Sequence, residues 1–127
     1  MRQSFGIVGK VAEVEKCRQD AGLRDRLRQV LHEVHPEVSF RLMNGGEPLR
    51  QRKKTWGGLQ HRLSLLEREG IRLPRELGDA DAVGIDDVVD AAAAAWSARR
   101  IHAGDERSFP EAPTQRDASG RIIAIRG

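Results

Sequence analysis

Cysteine is almost absent from this chain: one residue, Cys17, in 127. A lone thiol excludes an internal disulfide framework and any four-cysteine zinc site, and it suits a reducing compartment. Aromatic side chains are scarce as well, with three Phe, two Trp and no Tyr. The core is therefore expected to consist of Val, Ile, Leu and Ala packed between helices and a sheet. No apolar run approaches the roughly 20 residues that span a bilayer, and Met1-Arg2-Gln3 leads into no signal-peptide core. These absences predict a cytoplasmic chain with no membrane segment. Internal repeats are missing too, and the one low-complexity tract, Ala91 to Ala95, is explained by helix propensity and close packing.

What remains is enough for one compact domain, residues 1–127, which at this length buries roughly two thirds of the surface of its unfolded chain. The net charge is +3, the pI is near 9.6, and the basic excess lies in the middle of the chain. Such a balance permits a nucleic-acid partner without requiring one.

Ile7, Val11 and Val14 follow helical spacing and predict a helix from about Gly6 to Arg18, broken by Asp20-Ala21-Gly22. A short helix, Leu23 to Arg28, then feeds the apolar run Val30 to Val34, which reads as a strand buried on at least one face. Pro36 stops that strand and starts a helix over Glu37 to Met43, closed by Asn44-Gly45-Gly46. Pro48 to Thr55 is a basic loop. Thr55 is the expected N-cap of a helix from Trp56 to Glu69, with Leu59, Leu63 and Leu66 on one face and Gly70 at the stop, although Gly57 and Gly58 weaken its first turn. Pro74 to Gly84 is a polar connection. Asp86 is the expected cap of the longest helix, which ends near Ala103. A loop with Pro110 and Pro113 follows, and Ile122 to Ile125 alternates weakly as a closing edge strand.

Two segments carry the chemistry, Glu33 to Phe40 and Asp86 to Trp96. On a helix, residues three and four apart lie on one face with β-carbons roughly 5–6 Å apart, so Asp86, Asp87 and Asp90 crowd one sector. Capping is the favoured account of Asp86, whereas the helix dipole is the lesser account of Asp87 and leaves a chemical role open there. Asp90 lies one turn further in, where the dipole advantage has faded, and alanines that would pack on a sheet follow it at once. A carboxylate at such a border is well placed to hold magnesium, which needs one or two aspartates plus phosphate oxygens. Glu33 and His35 leave one face of the expected strand and Val34 the other. A salt bridge at a sheet end accounts equally well for Glu33, and a backbone bond at the strand exit for His35. Glu37 reads as a first-turn helix carboxylate and Ser39 as a packing residue, and nothing resembles a nucleophile elbow. Arg50, Arg52, Lys53 and Lys54, with His61 and Arg62 beyond, form the densest positive patch, either a solvated face or a phosphate-backbone contact. Trp56 can stack on a base, but a tryptophan beside a helix start more often packs into the core.

Taken together, the string Glu33-Val34-His35-Pro36-Glu37-Val38-Ser39-Phe40, then Asn44-Gly45-Gly46, Pro48, Lys53-Lys54-Thr55 and Gly58, and finally Asp86-Asp87-Val88-Val89-Asp90-Ala91 to Trp96, resembles domain of unknown function family 429 (DUF429). Members of that family are predicted RNase H-like nucleases. The resemblance implies an α/β fold, here a helix-rich part of an RNase H-like domain matching the C-terminal portion of the family and lacking its N-terminal strands. It implies Glu33, Asp87 and Asp90 as catalytic, metal-holding carboxylates for magnesium or manganese, with His35 and Asp86 as accessories. Nucleic-acid binding would fall to Arg50, Arg52, Lys53, Lys54 and Arg62, and the substrate would be DNA or RNA. Family members carry a first-strand aspartate that is not in this sequence. The expectation is therefore a nuclease weakly active or inactive alone, completed by a homo-oligomer or by a partner chain that supplies the missing strands. The competing expectation is a non-catalytic nucleic-acid-binding or assembly module.

Overall fold

The computed structural model describes residues 2–127, with side-chain surroundings from residue 7 onward. Five α-helices follow in chain order: α1 Arg2–Gln19, α2 Arg24–Val30, α3 Pro36–Met43, α4 Trp56–Arg68 and α5 Ile85–Ala103. A 3-10 turn, Gly78–Ala80, precedes α5, and two strands, β1 Ser108–Phe109 and β2 Ile125–Arg126, complete the chain. The strands pair antiparallel, Ser108 opposite Arg126 and Phe109 opposite Ile125.

The core sits where α3, α4 and α5 meet. Pro36 opens α3, where the missing proline amide costs nothing. The carbonyl of His35, which has extended backbone angles, accepts the amides of Val38 at 2.9 Å and Ser39 at 3.1 Å. Thr55 caps α4: its Oγ1 accepts the Gly58 amide at 3.1 Å and donates to the Arg52 carbonyl at 2.8 Å. Gly70 and Gly104, with φ of 79° and 76°, end α4 and α5 in the left-handed region that a side chain disfavours.

From these helices Phe40, Met43, Leu65, Leu66, Val89, Ala92, Ala93 and Trp96 converge. The alanines of α5 let α3 approach closely, and the hydroxyls of Ser39 and Ser97 meet at 2.7 Å inside the contact. Trp96 buries its ring and donates its indole N–H to Glu69 Oε2 at 2.8 Å, while Arg100 lies over the ring at 4.8 Å. No helix among the described residues is long and apolar enough to cross a membrane.

Several sequence expectations need correction. Val30 to Val34 does not form a strand: Val30 belongs to α2, and the chain from Leu31 to His35 runs extended with one ladder-like bond, Arg126 amide to Glu33 carbonyl at 2.9 Å. Hydrophobicity alone does not make a strand where no neighbour supplies a ladder. The closing strand is displaced to Ile125–Arg126, with Ile122 reduced to a single bridge opposite Arg116. Asp86 is not the cap of α5. Gly84 holds that position, its carbonyl accepting the amides of Asp87 at 3.0 Å and Val88 at 3.2 Å, and Asp86 lies within the first turn. Trp56, at the first position of α4, is 76% exposed rather than packed in the core. On α1, the apolar residues Ile7, Val8, Val11 and Val14 all face out.

Candidate functional site

Charges of opposite sign converge where the first turns of α3 and α5 meet the basic loop. Arg62 reaches back from α4 and is only 3% exposed. Its Nη2 lies 2.8 Å from both carboxylate oxygens of Glu37, its Nη1 donates to the carbonyls of Gly58 at 3.1 Å and Gln51 at 3.3 Å, and its guanidinium lies over the Phe40 ring at 5.5 Å. The loop brings Lys53 to the same region, with Nζ 3.0 Å from Asp90 Oδ2. The hydrogen bond to Asp90 raises the Lys53 pKa above its ordinary value. The charges of Asp90, Asp86 and Glu37 act the same way, against the opposing effect of burial.

This arrangement follows from local structure. On α5 the buried residues Val89, Ala93, Trp96 and Ser97 define the core face. Asp86 and Asp90, one turn apart, border that face on one side, whereas Asp87 is rotated a further 100° or so into solvent. Lys53 is delivered by a loop with little freedom. A β-carbon at Gly58 would stand 1.9 Å from the Arg52 carbonyl oxygen, so loop and helix start touch backbone to backbone, and the Thr55 hydroxyl ties the same two points together.

The residues expected to act as one set are thus divided. Asp90 and Asp86 belong to the cluster, and Asp87 points away from it. Glu33 lies in the extended segment and lines a different cleft, of about 860 Å³, between α1 and residues 116–126. His35 is exposed, and it caps α3 through its carbonyl alone. Among the described residues no three His, Cys, Asp or Glu side chains are grouped so as to hold a metal ion. Glu33 is therefore set apart from Asp87 and Asp90 among the described residues.

The basic patch divides too. Arg50, Arg52 and Lys54 are exposed and have no carboxylate partner among the described residues, whereas Lys53 and Arg62 are spent on Asp90 and Glu37. Arg62 in particular is a buried structural cation and not a surface contact for phosphate. Sequence reasoning missed the role of Glu37, which looked like a first-turn carboxylate. The available hint was that Gly58 and Arg62 are one turn apart on α4, so the tight turn at Gly58 aims the Arg62 side chain inward.

A family model described as a protein of unknown function, DUF429, matches residues 1–115. The chain belongs to that family. No curated protein and no solved structure matches it.

Proposed function

We propose that this chain carries one face of an RNase H-like, metal-dependent nuclease site and cleaves phosphodiesters weakly or not at all by itself. The observation that supports this most is Asp90, at the border of the α5 core face, held 3.0 Å from Lys53 of a basic loop whose Arg50, Arg52 and Lys54 are exposed. A carboxylate next to a cationic loop suits phosphate esters, because the acid favours a divalent cation and the bases favour the phosphates. Asp90 would be the carboxylate this chain offers to magnesium or manganese. Phosphate oxygens, water or a second polypeptide would supply the other ligands. That polypeptide, whether another copy or a different chain, would pair with the extended segment Leu31 to His35, whose amides from His32 to His35 have no hydrogen-bond partner among the described residues. The same reading sets the protein in the cytoplasm, where the exposed Cys17 stays reduced.

A second reading, a non-catalytic nucleic-acid-binding or assembly module, draws support from the pairing of Asp90 with Lys53 and of Glu37 with Arg62. Those ion pairs neutralise the acids without any metal. Incubation with single-stranded and structured DNA and RNA, with magnesium or manganese, separates the two. The nuclease reading expects slow cleavage that Asp90→Asn abolishes. Binding without cleavage under every condition, including with a strand-supplying partner, would favour the module.

A further inference from the structure

Directly after the basic loop, at the first position of α4, stands an exposed side chain that carries no charge. Of the two tryptophans, Trp96 is 3% exposed and Trp56 is 76% exposed. Indoles usually contribute by burial, so a large flat ring left in water is an informative departure from the usual pattern. Its backbone is held firmly. Trp56 follows the capping residue Thr55, the next turn abuts the Arg52 carbonyl at Gly58, and Lys53 is anchored on Asp90. The ring is therefore presented from a fixed helix start, which lowers the entropic cost of using it as a contact.

The surrounding charges narrow the choice of ligand. Arg50, Arg52 and Lys54 lie within six residues of the ring, exposed and without carboxylate partners among the described residues. Unpaired cations beside a bare aromatic face suit a single strand, which offers phosphates to the cations and an unstacked base to the ring. A duplex keeps its bases stacked inside and would engage the cations alone. An acidic peptide likewise offers charge but no planar partner. We infer that Trp56 stacks on an unpaired base of single-stranded nucleic acid while Arg50, Arg52 and Lys54 hold the flanking phosphates. This deepens the reading above: it rests on a nucleic-acid partner but not on cleavage.

The composition makes the test direct, because without tyrosine the intrinsic emission comes from one exposed and one buried indole. Labelled single strands and duplexes are titrated by anisotropy while tryptophan emission is followed, with circular dichroism confirming that each variant folds. Single strands should quench the Trp56 emission, and Trp56→Phe should remove that quenching while retaining part of the affinity. Trp56→Ala should weaken single-strand binding by roughly 5- to 100-fold and leave duplex binding unchanged. Changing Arg50, Arg52 and Lys54 together to Ser should reduce the log-log salt slope for single strands by about 2. Single strands that bind with unchanged emission and ignore Trp56→Ala would overturn the stacking and leave the nucleic-acid reading intact. No binding of either form overturns both, and equal quenching by polyglutamate would reassign the surface to acidic peptides.

Discussion

Arg62 holds a full charge almost entirely out of water, and that one residue decides how the neighbouring acids behave. A buried guanidinium is tolerated when most of its donors are matched, and here Glu37 and two carbonyls take Nη1 and Nη2 while the buried Nε has no partner among the described residues. Removing the matching acid is therefore costlier than the half-exposed position of Glu37 suggests. Glu37→Ala should lower stability by about 2–3 kcal/mol, seen as a fall in urea midpoint at constant slope. Lys53 behaves differently, since it is partly exposed and its folded-state pKa is raised. Its contribution is complete below the unfolded lysine pKa and disappears only as pH rises through the higher folded value. Stability measured from neutral to mildly alkaline pH should accordingly be the same for wild type and Lys53→Met after subtraction of a constant offset. A difference that grows with pH in that range would count against the pairing. Neither ion pair was legible in the sequence. A run of four basic residues within five positions reads as one patch, and only the fold separates Lys53 and Arg62, turned inward, from Arg50, Arg52 and Lys54, left outside.

At the level of single elements, the helices were the legible part, because their punctuation is local. Pro36, Asn44-Gly45-Gly46, Thr55, Gly70 and Gly104 each act on the backbone within a few residues of themselves, and each stands at a helix boundary. The apolar run at Val30 to Val34 was misread because a strand depends on a neighbour that local sequence does not specify. The twin glycines of α4 looked like a weakness. Only one of them is replaceable. A β-carbon at Gly57 meets the flexible end of Gln51, whereas one at Gly58 meets fixed backbone. Gly57→Ala should be neutral or stabilise by up to ~1 kcal/mol through helix propensity, while Gly58→Ala should destabilise despite the same propensity gain. Thermal denaturation of the two variants gives opposite signs if this is correct. The turn after β1 supplies a pH signature. The hydroxyl of Ser119 bonds to Asp117 and holds its carboxyl far below the ordinary value, helped by the Arg121 amide and by Arg18. A depressed pKa stabilises above the unfolded value and is lost as pH falls through the folded one. The Arg18–Asp117 link should therefore persist through mildly acidic pH and fail only in strong acid, and Asp117→Asn should flatten the acid limb of the stability profile.

For the whole molecule, the sequence predicted a helix-rich α/β part-domain with aliphatic side chains packed between helices and a sheet, and the described residues form a three-helix core with a two-residue strand pair at one side. The apolar positions of α1 were correctly recognised as helical, but periodicity cannot say what a face packs against, and Val11 and Val14 border the cleft without being covered. Light scattering is expected to give a mass above that of one chain, and Val11→Glu with Val14→Glu to return it to the monomer. A wild type that is monomeric at every concentration would count against a partner on this face. The attachment of α1 has a further consequence. Its main helical neighbour is α2, and among the described residues its side-chain tie to the rest is the 2.8 Å pair of Arg18 with Asp117. Hydrogen exchange should therefore be biphasic. The amides of α1 should exchange through a local opening that leaves α3, α4 and α5 intact, and those of the three core helices only when the whole fold is lost.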